Sequence, residues 1–176
     1  MDQMDIIKNN SFNQGYNINN KPNPFLYLNS VNKQNMLNVK ISPIEELLNK
    51  LKNSGLNETN GITIFNKTEM ISLFGKDVCG VDICCVRNND VVAINFVDII
   101  MRGNVLSNFV NFLYSCGIVE NKQGCDIKKI FISNVKFDES TLAAFNRNPI
   151  DHNYNDVNEI LFNETVNYVK MLYGVS

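Results

Sequence analysis

The chain has 176 residues, a formal net charge of -2 and 44% hydrophobic residues, which suits one domain with a buried core and an additional segment. It has no apolar run of about 18 residues and no basic stretch followed by an apolar one at its start. We therefore expect neither a transmembrane helix nor a secretory signal. The small net charge argues against a general polyanion binder but permits a local basic groove.

Residues 1–40 are rich in Asn, Gln, Ser and Lys and contain Pro22 and Pro24. Their one compact apolar patch runs from residue 25 to residue 28. This composition predicts an extended arm with a short segment for docking on a protein partner. Asparagine is abundant throughout the chain, which we attribute to codon bias.

Five cysteines are present: Cys79, Cys84, Cys85, Cys116 and Cys125. An odd number without a secretory signal predicts reduced thiols in an intracellular compartment such as the cytoplasm, the nucleus or a viral factory. No pair has CxxC spacing, and the single histidine, His152, lies in a polar segment that we interpret as a loop. We therefore expect no zinc site.

The first predicted element is a helix over residues 43–54. Ser42 can cap it, Pro43 suits its first position, and Glu45 completes a capping box. A short β-branched run over residues 61–65 predicts a strand. Asn66 and Glu69 then have the spacing of a second capping box, which indicates one or two helical turns ending before Gly75.

Residues 81–86 and 91–97 are two apolar runs separated by an Arg-Asn-Asn-Asp turn, which predicts a buried antiparallel hairpin. The remaining predictions in chain order are a helix over 105–114 ending near Gly117, a polar loop up to Asp126, a strand over 128–133 and a helix over 138–146. For residues 151–176 the pattern permits a helix or short strands, and we favour a helix.

This α-β-β-β-α-β order predicts an α/β fold with a mixed central sheet flanked by helices. The predicted organisation is an arm over residues 1–40, a core over 41–150 and a C-terminal segment over 151–176.

One part of this core resembles a known enzyme family. The segments FGKDVCGVDICCVRNNDVVAINF and KKIFISNVKFDESTLAAFNR resemble the catalytic core of the PD-(D/E)XK, or restriction-endonuclease-like, superfamily, and most closely its Mrr-type branch. In that branch a Gly-x-Asp strand precedes a strand bearing Glu/Gln-x-Lys. The resemblance spans about residues 73–147 and implies a restriction-endonuclease-like fold and Mg²⁺-dependent cleavage of phosphodiesters.

Carried over by position, Asp82 falls on the first metal-binding acid of the family, Asn95 on the Glu/Gln position and Val97 on the Lys position. The last two depart from the family pattern, because Asn is a weak neutral ligand and Val binds neither water nor phosphate. In this superfamily the Lys can instead lie on a neighbouring element, and the candidates for that role here are Lys67, Lys76 and Arg102. In an active enzyme, Asp98 and Glu46, or its neighbour Glu45, would complete the Mg²⁺ ligands around Asp82.

A second resemblance covers part of the same region. The strand-helix-strand-helix pattern from residue 91 to residue 145 is similar to the jaw domain of the fifth common subunit of eukaryotic RNA polymerases, which resembles the same fold without an active site. The assembly domain that follows in that subunit is not expected, because the sequence ends at Ser176. The resemblance therefore implies a jaw-like subunit without that domain.

The sequence thus leaves four hypotheses. The one we favour is a non-catalytic nuclease-fold domain that needs no cofactor and binds nucleic acid or protein within a nucleic-acid-processing or transcription assembly. The alternatives are an active Mg²⁺-dependent nuclease, the jaw-like subunit, and a structural protein that reuses the fold. Nucleic-acid binding would need a basic groove, for which the candidates are Lys67, Lys76, Arg87 and Arg102.

Overall fold

The computed structural model describes residues 41–100 and 104–176. The predicted arm over residues 1–40 and the candidate cation Arg102 lie outside this range. From Ser42 onward the chain forms one compact unit. Within it the described residues form an α/β fold, in which a five-stranded mixed sheet is flanked by helices.

Helices and strands alternate along the chain, except at one hairpin, where two strands follow each other directly. The helices are α1 Pro43–Asn53, α2 Lys67–Phe74, α3 Val105–Gln123, α4 Glu139–Arg147 and α5 Asn158–Tyr173. The strands are β1 Thr63–Asn66, β2 Ile83–Arg87, β3 Asp90–Val97, β4 Ile127–Ser133 and β5 Asp151–Tyr154. The predicted α-β-β-β-α-β order is present, with α2 inserted between the first two strands.

The strands lie side by side in chain order, from β1 at one edge to β5 at the other. β1, β2 and β3 pair antiparallel, whereas β3, β4 and β5 pair parallel. Because α3 and α4 are the crossovers between parallel strands, both must cover a face of the sheet. The sheet is therefore buried on both faces at its centre.

Two apolar clusters separate the layers. On one face, α1 and α5 pack on the sheet through Leu47, Leu51, Phe162 and Val169. On the other face, Met70 of α2, Phe112 of α3 and Phe145 of α4 belong to the second cluster. β3 contributes to both clusters, since every residue from Val91 to Val97 is buried.

The predicted helix starts are confirmed by their caps. The Ser42 hydroxyl accepts a hydrogen bond from the Glu45 amide at 3.3 Å, so Ser42 caps α1 as predicted. The second bond of the predicted capping box, from the Ser42 amide to the Glu45 side chain, is not formed among the described residues. Asn66 and Glu69 form both bonds of the capping box at 2.8 and 2.9 Å. The hairpin turn is also as predicted, with Asn88 at a φ of +57°.

Two elements differ from the sequence-based predictions. α3 does not end near Gly117 but continues to Gln123 and stops at Gly124, whose φ is +68°. Its second half is helical because Cys116 and Val119 continue the buried face. The segment containing His152 is not a loop but the edge strand β5, which pairs with β4. The helix favoured for the C-terminal segment is present as α5.

The C-terminal end of α5 is hydrogen-bonded to the hairpin formed by β2 and β3. The Tyr173 hydroxyl lies 2.9 Å from the Cys85 carbonyl oxygen and 2.8 Å from that of Asp90. The Arg87 guanidinium donates to the Tyr173 carbonyl at 2.9 Å and lies over the Tyr173 ring at 5.2 Å. This contact joins residues that are more than 80 positions apart in the sequence.

Gly117 is an exposed glycine inside α3. A Cβ placed there would meet no atom of the described residues within 4 Å. We predict that Gly117→Ala raises the free energy of unfolding by about 0.5–1 kcal/mol, because alanine loses less backbone entropy in a helix. Urea unfolding at low protein concentration measures this.

The matched control is Gly124→Ala at the end of the same helix. Its left-handed backbone strains any side chain, so this substitution should lower stability by about 1 kcal/mol. Destabilisation by Gly117→Ala would contradict a helix that continues through Gly117 to Gln123.

Candidate functional site

Asp82 lies immediately before β2, and the pairing of β2 with β3 sets its position. Its amide donates to the Ile94 carbonyl at 2.9 Å, and its Oδ2 accepts a hydrogen bond from the Phe96 amide at 2.8 Å. Asp82 is only 8% exposed. A carboxylate at this depth needs partners, because an unpaired buried charge costs several kcal/mol.

Lys67 supplies the second partner of this carboxylate. Its Nζ lies 3.2 Å from Asp82 Oδ1. Lys67 is the first residue of α2, and the Asn66 capping box fixes the start of that helix directly after β1. Of the two candidate replacements for the missing Lys that lie among the described residues, Lys67 and Lys76, the structure brings Lys67 to Asp82. Both carboxylate oxygens of Asp82 are therefore engaged.

The environment of Asp82 favours its protonated form. Burial raises the pKa of the carboxyl above 3.8, its value in the unfolded chain, while the Phe96 amide and the Lys67 ammonium oppose this rise. Desolvation is the largest of these effects, which means that the two partners compensate only part of the cost of burial.

Asn95 and Val97 share the α2–α3 side of the sheet with Asp82. The Asn95 side-chain amide donates to the Gly80 carbonyl at 2.8 Å. Its Oδ1 is buried and has no hydrogen-bond partner among the described residues. Val97 is 4% exposed and belongs to the second apolar cluster. The three positions of the family motif therefore lie on one face, but only Asp82 has an ionisable side chain.

Gly80 connects these residues to α3, a role that the sequence did not reveal. Its amide donates to Ser115 Oγ at 3.0 Å, and that hydroxyl donates to the Asp77 carbonyl at 2.9 Å. A Cβ on Gly80 would lie 2.6 Å from the carbonyl oxygen of Asn111. The signal for this close approach was present in the Gly-x-Asp pattern, since only glycine lets two backbones come so close.

The two other acidic candidates lie elsewhere. Asp98 follows β3, and its Oδ1 accepts hydrogen bonds from the Ile100 amide and the Asn134 side chain, both at 3.2 Å. It therefore orders the loops at the C-terminal ends of the parallel strands. Glu46 is exposed on α1, which packs on the opposite face of the sheet from α2. Neither side chain joins the Asp82–Lys67 pair.

The basic candidates do not converge. Lys67 is paired with Asp82, and Arg87 is held against Tyr173 about five strand residues, roughly 16 Å, away from Asp82. Lys76 is exposed just beyond the end of α2, about 12 Å of helix away from Lys67. Among the described residues, these cations do not line one groove.

The residues beside Asp82 offer few ligands to a magnesium ion. Mg²⁺ takes oxygen ligands in near-octahedral geometry, whereas the neighbouring motif positions carry the neutral, buried Oδ1 of Asn95 and an apolar valine side chain. Over residues 41–100 and 104–176, no group of three or more His, Cys, Asp or Glu side chains is arranged to hold a metal ion.

The cysteines are free thiols, and three of them are buried in the two apolar clusters between the sheet and the helices. Burial raises the pKa of Cys84 and of Cys116 to about 12 and the pKa of Cys85 further still. Because the thiolate is the nucleophile, these buried thiols are unreactive at neutral pH. They pack as small apolar side chains.

Comparison with known proteins gives no relative: no family model, no curated protein and no solved structure matches the chain. In the part of the chain that the structure describes, every helix is too short or too polar to cross a membrane. The interpretation of the site therefore depends on its own geometry.

The contact between Gly80 and α3 can be tested by adding one methyl group at position 80. We predict that Gly80→Ala lowers the free energy of unfolding by about 1–3 kcal/mol, because the added carbon overlaps the Asn111 carbonyl. Thermal unfolding with Gly117→Ala as the comparison would separate this clash from a general effect of glycine replacement, since Gly117 has open space around it and no positive φ. Equal stability of Gly80→Ala and the wild type would contradict the close approach.

The Asp82 pair leads to a prediction on pH. Because the folded-state pKa is raised, the protonated carboxyl stabilises the fold; this contribution is complete below pH 3.8 and is lost as the pH rises through the folded-state pKa. Asp82→Asn, which does not titrate and can still accept from Phe96, should therefore gain stability relative to the wild type between about pH 4 and pH 7.

Asp82→Ala is the matched variant, because it leaves the Phe96 amide without an acceptor. It should lose about 1–3 kcal/mol at neutral pH. Urea unfolding of the three proteins at both ends of this pH range measures these differences. If Asp82→Asn were the less stable of the two variants at neutral pH, the assigned hydrogen bond would be wrong.

Proposed function

We propose that this chain is a non-catalytic binding domain with a degenerate restriction-endonuclease-like core, acting within an assembly that processes or transcribes nucleic acid. Two features support the resemblance. The element order contains α-β-β-β-α-β with antiparallel β1–β3 and parallel β3–β4, and the positions of Asp82, Asn95 and Val97 share one face of the sheet.

The observation that carries the non-catalytic form of this proposal is the state of Asp82. One carboxylate oxygen accepts the Phe96 amide and the other is paired with Lys67. A metal ion bound to Asp82 would have to displace Lys67. It would find no second carboxylate there, because residue 95 is an asparagine and Asp98 is hydrogen-bonded to Ile100 and Asn134 instead. The pair acts as a structural contact between β2, β3 and α2.

The positions of the cations and of the apolar side chains favour a protein partner over nucleic acid. Nucleic-acid affinity depends on several cations that contact phosphates together, and Lys67, Lys76 and Arg87 do not do so. In contrast, apolar side chains are exposed at and just after the C-terminal ends of β3 and β5: Ile99, Ile100, Tyr154, Val157 and Ile160. Exposed apolar side chains at loops that lie close together are typical of protein–protein contacts.

The loops that carry these side chains are held together by hydrogen bonds. Asn134, after β4, accepts from the Ile99 amide at 2.7 Å and donates to Asp98 at 3.2 Å and to Asn158 at 2.8 Å. This network links the loop after β3 to the start of α5. A surface ordered in advance loses less entropy when it binds.

One observation favours a second candidate, the Mg²⁺-dependent nuclease with a rearranged site. Lys67 lies beside Asp82, which is the arrangement expected if the Lys of the family motif has moved to α2. Such an enzyme would use Asp82 as a metal ligand and Lys67 near the scissile phosphate. The jaw-like polymerase subunit, the partner-binding arm and the intracellular location stay predictions from the sequence.

A cleavage assay separates the two candidates. We expect no cleavage when the full chain is incubated with single- and double-stranded DNA and RNA in Mg²⁺ or Mn²⁺. Asp82→Asn and Lys67→Ala, each purified in the same way, are the controls for contaminating nuclease. Cleavage by the wild type that both variants lose would overturn the non-catalytic proposal. Cleavage shared by all three proteins would indicate a contaminating nuclease, which is removed by further purification before the assay is repeated.

Binding is measured with the same nucleic acids by fluorescence anisotropy over a range of salt concentrations. For a protein-binding domain we expect weak binding that is lost near 0.15 M salt, because few cations act together. Binding that persists at that salt concentration, and that Lys76→Glu weakens at least tenfold, would favour nucleic acid as the partner.

A further inference from the structure

A hollow of about 360 Å³ lies between β5 and α5. Its floor is apolar, because Ile130 and Ile132 of β4 form it and are 3% and 1% exposed. Its walls are polar, and the side chains in them are Asp151 and Asn153 of β5 and Glu164, Thr165 and Tyr168 of α5. A helix and a strand that pack together usually bury apolar side chains between them, so this contact differs from the rest of the core.

Two hydrogen bonds connect the β5 wall of this hollow to the α5 wall. The Tyr168 hydroxyl donates to Asp151 Oδ2 at 2.6 Å, and the Asn153 side-chain amide donates to Glu164 Oε1 at 2.8 Å. The bond to Asp151 raises the pKa of Tyr168 to about 12, so its hydroxyl stays a donor at neutral pH. Each carboxylate is thus held at one oxygen, and its other oxygen receives no hydrogen bond from the described residues.

The charge of this region favours a cationic ligand. Residues 150–169 contain no Lys or Arg but four acids: Asp151, Asp156, Glu159 and Glu164. Ionised carboxylates only accept hydrogen bonds, and the Thr165 hydroxyl is already bonded to the Leu161 carbonyl at 2.8 Å. Lys128 Nζ lies 4.0 Å from Asp151 Oδ2, but half of its side chain is exposed, and such a pair contributes little. The hollow therefore suits a group that is positively charged and donates hydrogen bonds.

The spacing of the carboxylates favours two cationic groups on one short chain. Asp151 and Asn153 lie two residues apart on a strand, so they point to the same face about 7 Å apart. Because Asn153 holds Glu164, the two carboxylates have a similar separation. Two ammonium groups on a four-carbon chain are joined by five bonds of about 1.5 Å, which span about 6 Å when extended. The carbons between them would contact Ile130 and Ile132, where burial of apolar surface is favourable.

We propose that the hollow between β5 and α5 binds a linear aliphatic diamine, with one ammonium on Asp151, the other on Glu164 and the carbon chain on the apolar floor. Its volume is at the lower end of the range for ligand pockets, about 300 to 1,000 Å³. The proposal does not depend on the proposed function, because the hollow lies on the α1–α5 side of the sheet, whereas Asp82 and Lys67 lie on the other side.

The test is isothermal titration calorimetry of the full chain with 1,4-diaminobutane at neutral pH. The buffer has low salt, because salt screens exposed charges. We expect saturable binding at one site. Butylamine has the same carbon chain with one ammonium, so it should bind at least tenfold more weakly than the diamine.

Four variants make the result specific. Asp151→Asn and Glu164→Gln each remove one charge but keep an acceptor for Tyr168 or Asn153, and each should raise the dissociation constant of the diamine at least tenfold. Glu159→Gln is the matched control, because Glu159 is exposed on α5 outside the hollow, and it should change the constant less than about twofold. Lys128→Met removes the competing cation and should strengthen binding. Circular dichroism checks that each variant is folded.

A wild type without saturable binding of the diamine would overturn the proposal. Equal binding of butylamine would also contradict it, since the second carboxylate would then have no role. If Glu159→Gln weakened binding as much as Asp151→Asn and Glu164→Gln, the diamine would be attracted by the acidic surface in general, and the assigned site would be wrong.

Discussion

The burial of β3 on both faces is the constraint on which the rest of this structure depends. Seven consecutive residues, Val91 to Val97, are withdrawn from water, because helices cover the sheet on either side. Strands in this position are usually continuous apolar runs. The one polar residue in the run, Asn95, therefore needs a partner from inside the protein, and it takes the carbonyl of Gly80.

The same constraint determines the chemistry next to it. Asp82 enters the edge of this buried region and is satisfied by a backbone amide of β3 and by Lys67, which reaches it from the solvent side with 43% of its side chain exposed. The carboxylate is thus used to hold three elements together. A group engaged in this way has little capacity left for a ligand, and this supports the proposal of a non-catalytic domain.

Local signals in the sequence were sufficient for most of the fold. Caps at Ser42 and Asn66 and the Asn88 turn are short-range chemistry, and each is present where it was predicted. The strand β5 was missed, because its residues Asp-His-Asn-Tyr are polar and become a strand only by pairing with β4. The Lys67–Asp82 contact was one of three possibilities, since the choice depends on where α2 lies. The use of Arg87 to bind α5 could not be predicted from neighbouring residues.

The link between Tyr173 and the first hairpin has a consequence for synthesis of the chain. The hydroxyl that bonds the carbonyls of Cys85 and Asp90 is added about 85 residues after them. Contacts this distant in sequence slow folding, because a long loop must close before they form. On the ribosome, the hairpin can be made early, but the face that α5 covers has only α1 available to pack on it until Tyr173 has left the exit tunnel. During that interval the nascent chain exposes Cys85 and the apolar residues around it, and this is the stage at which a chaperone would be of most use.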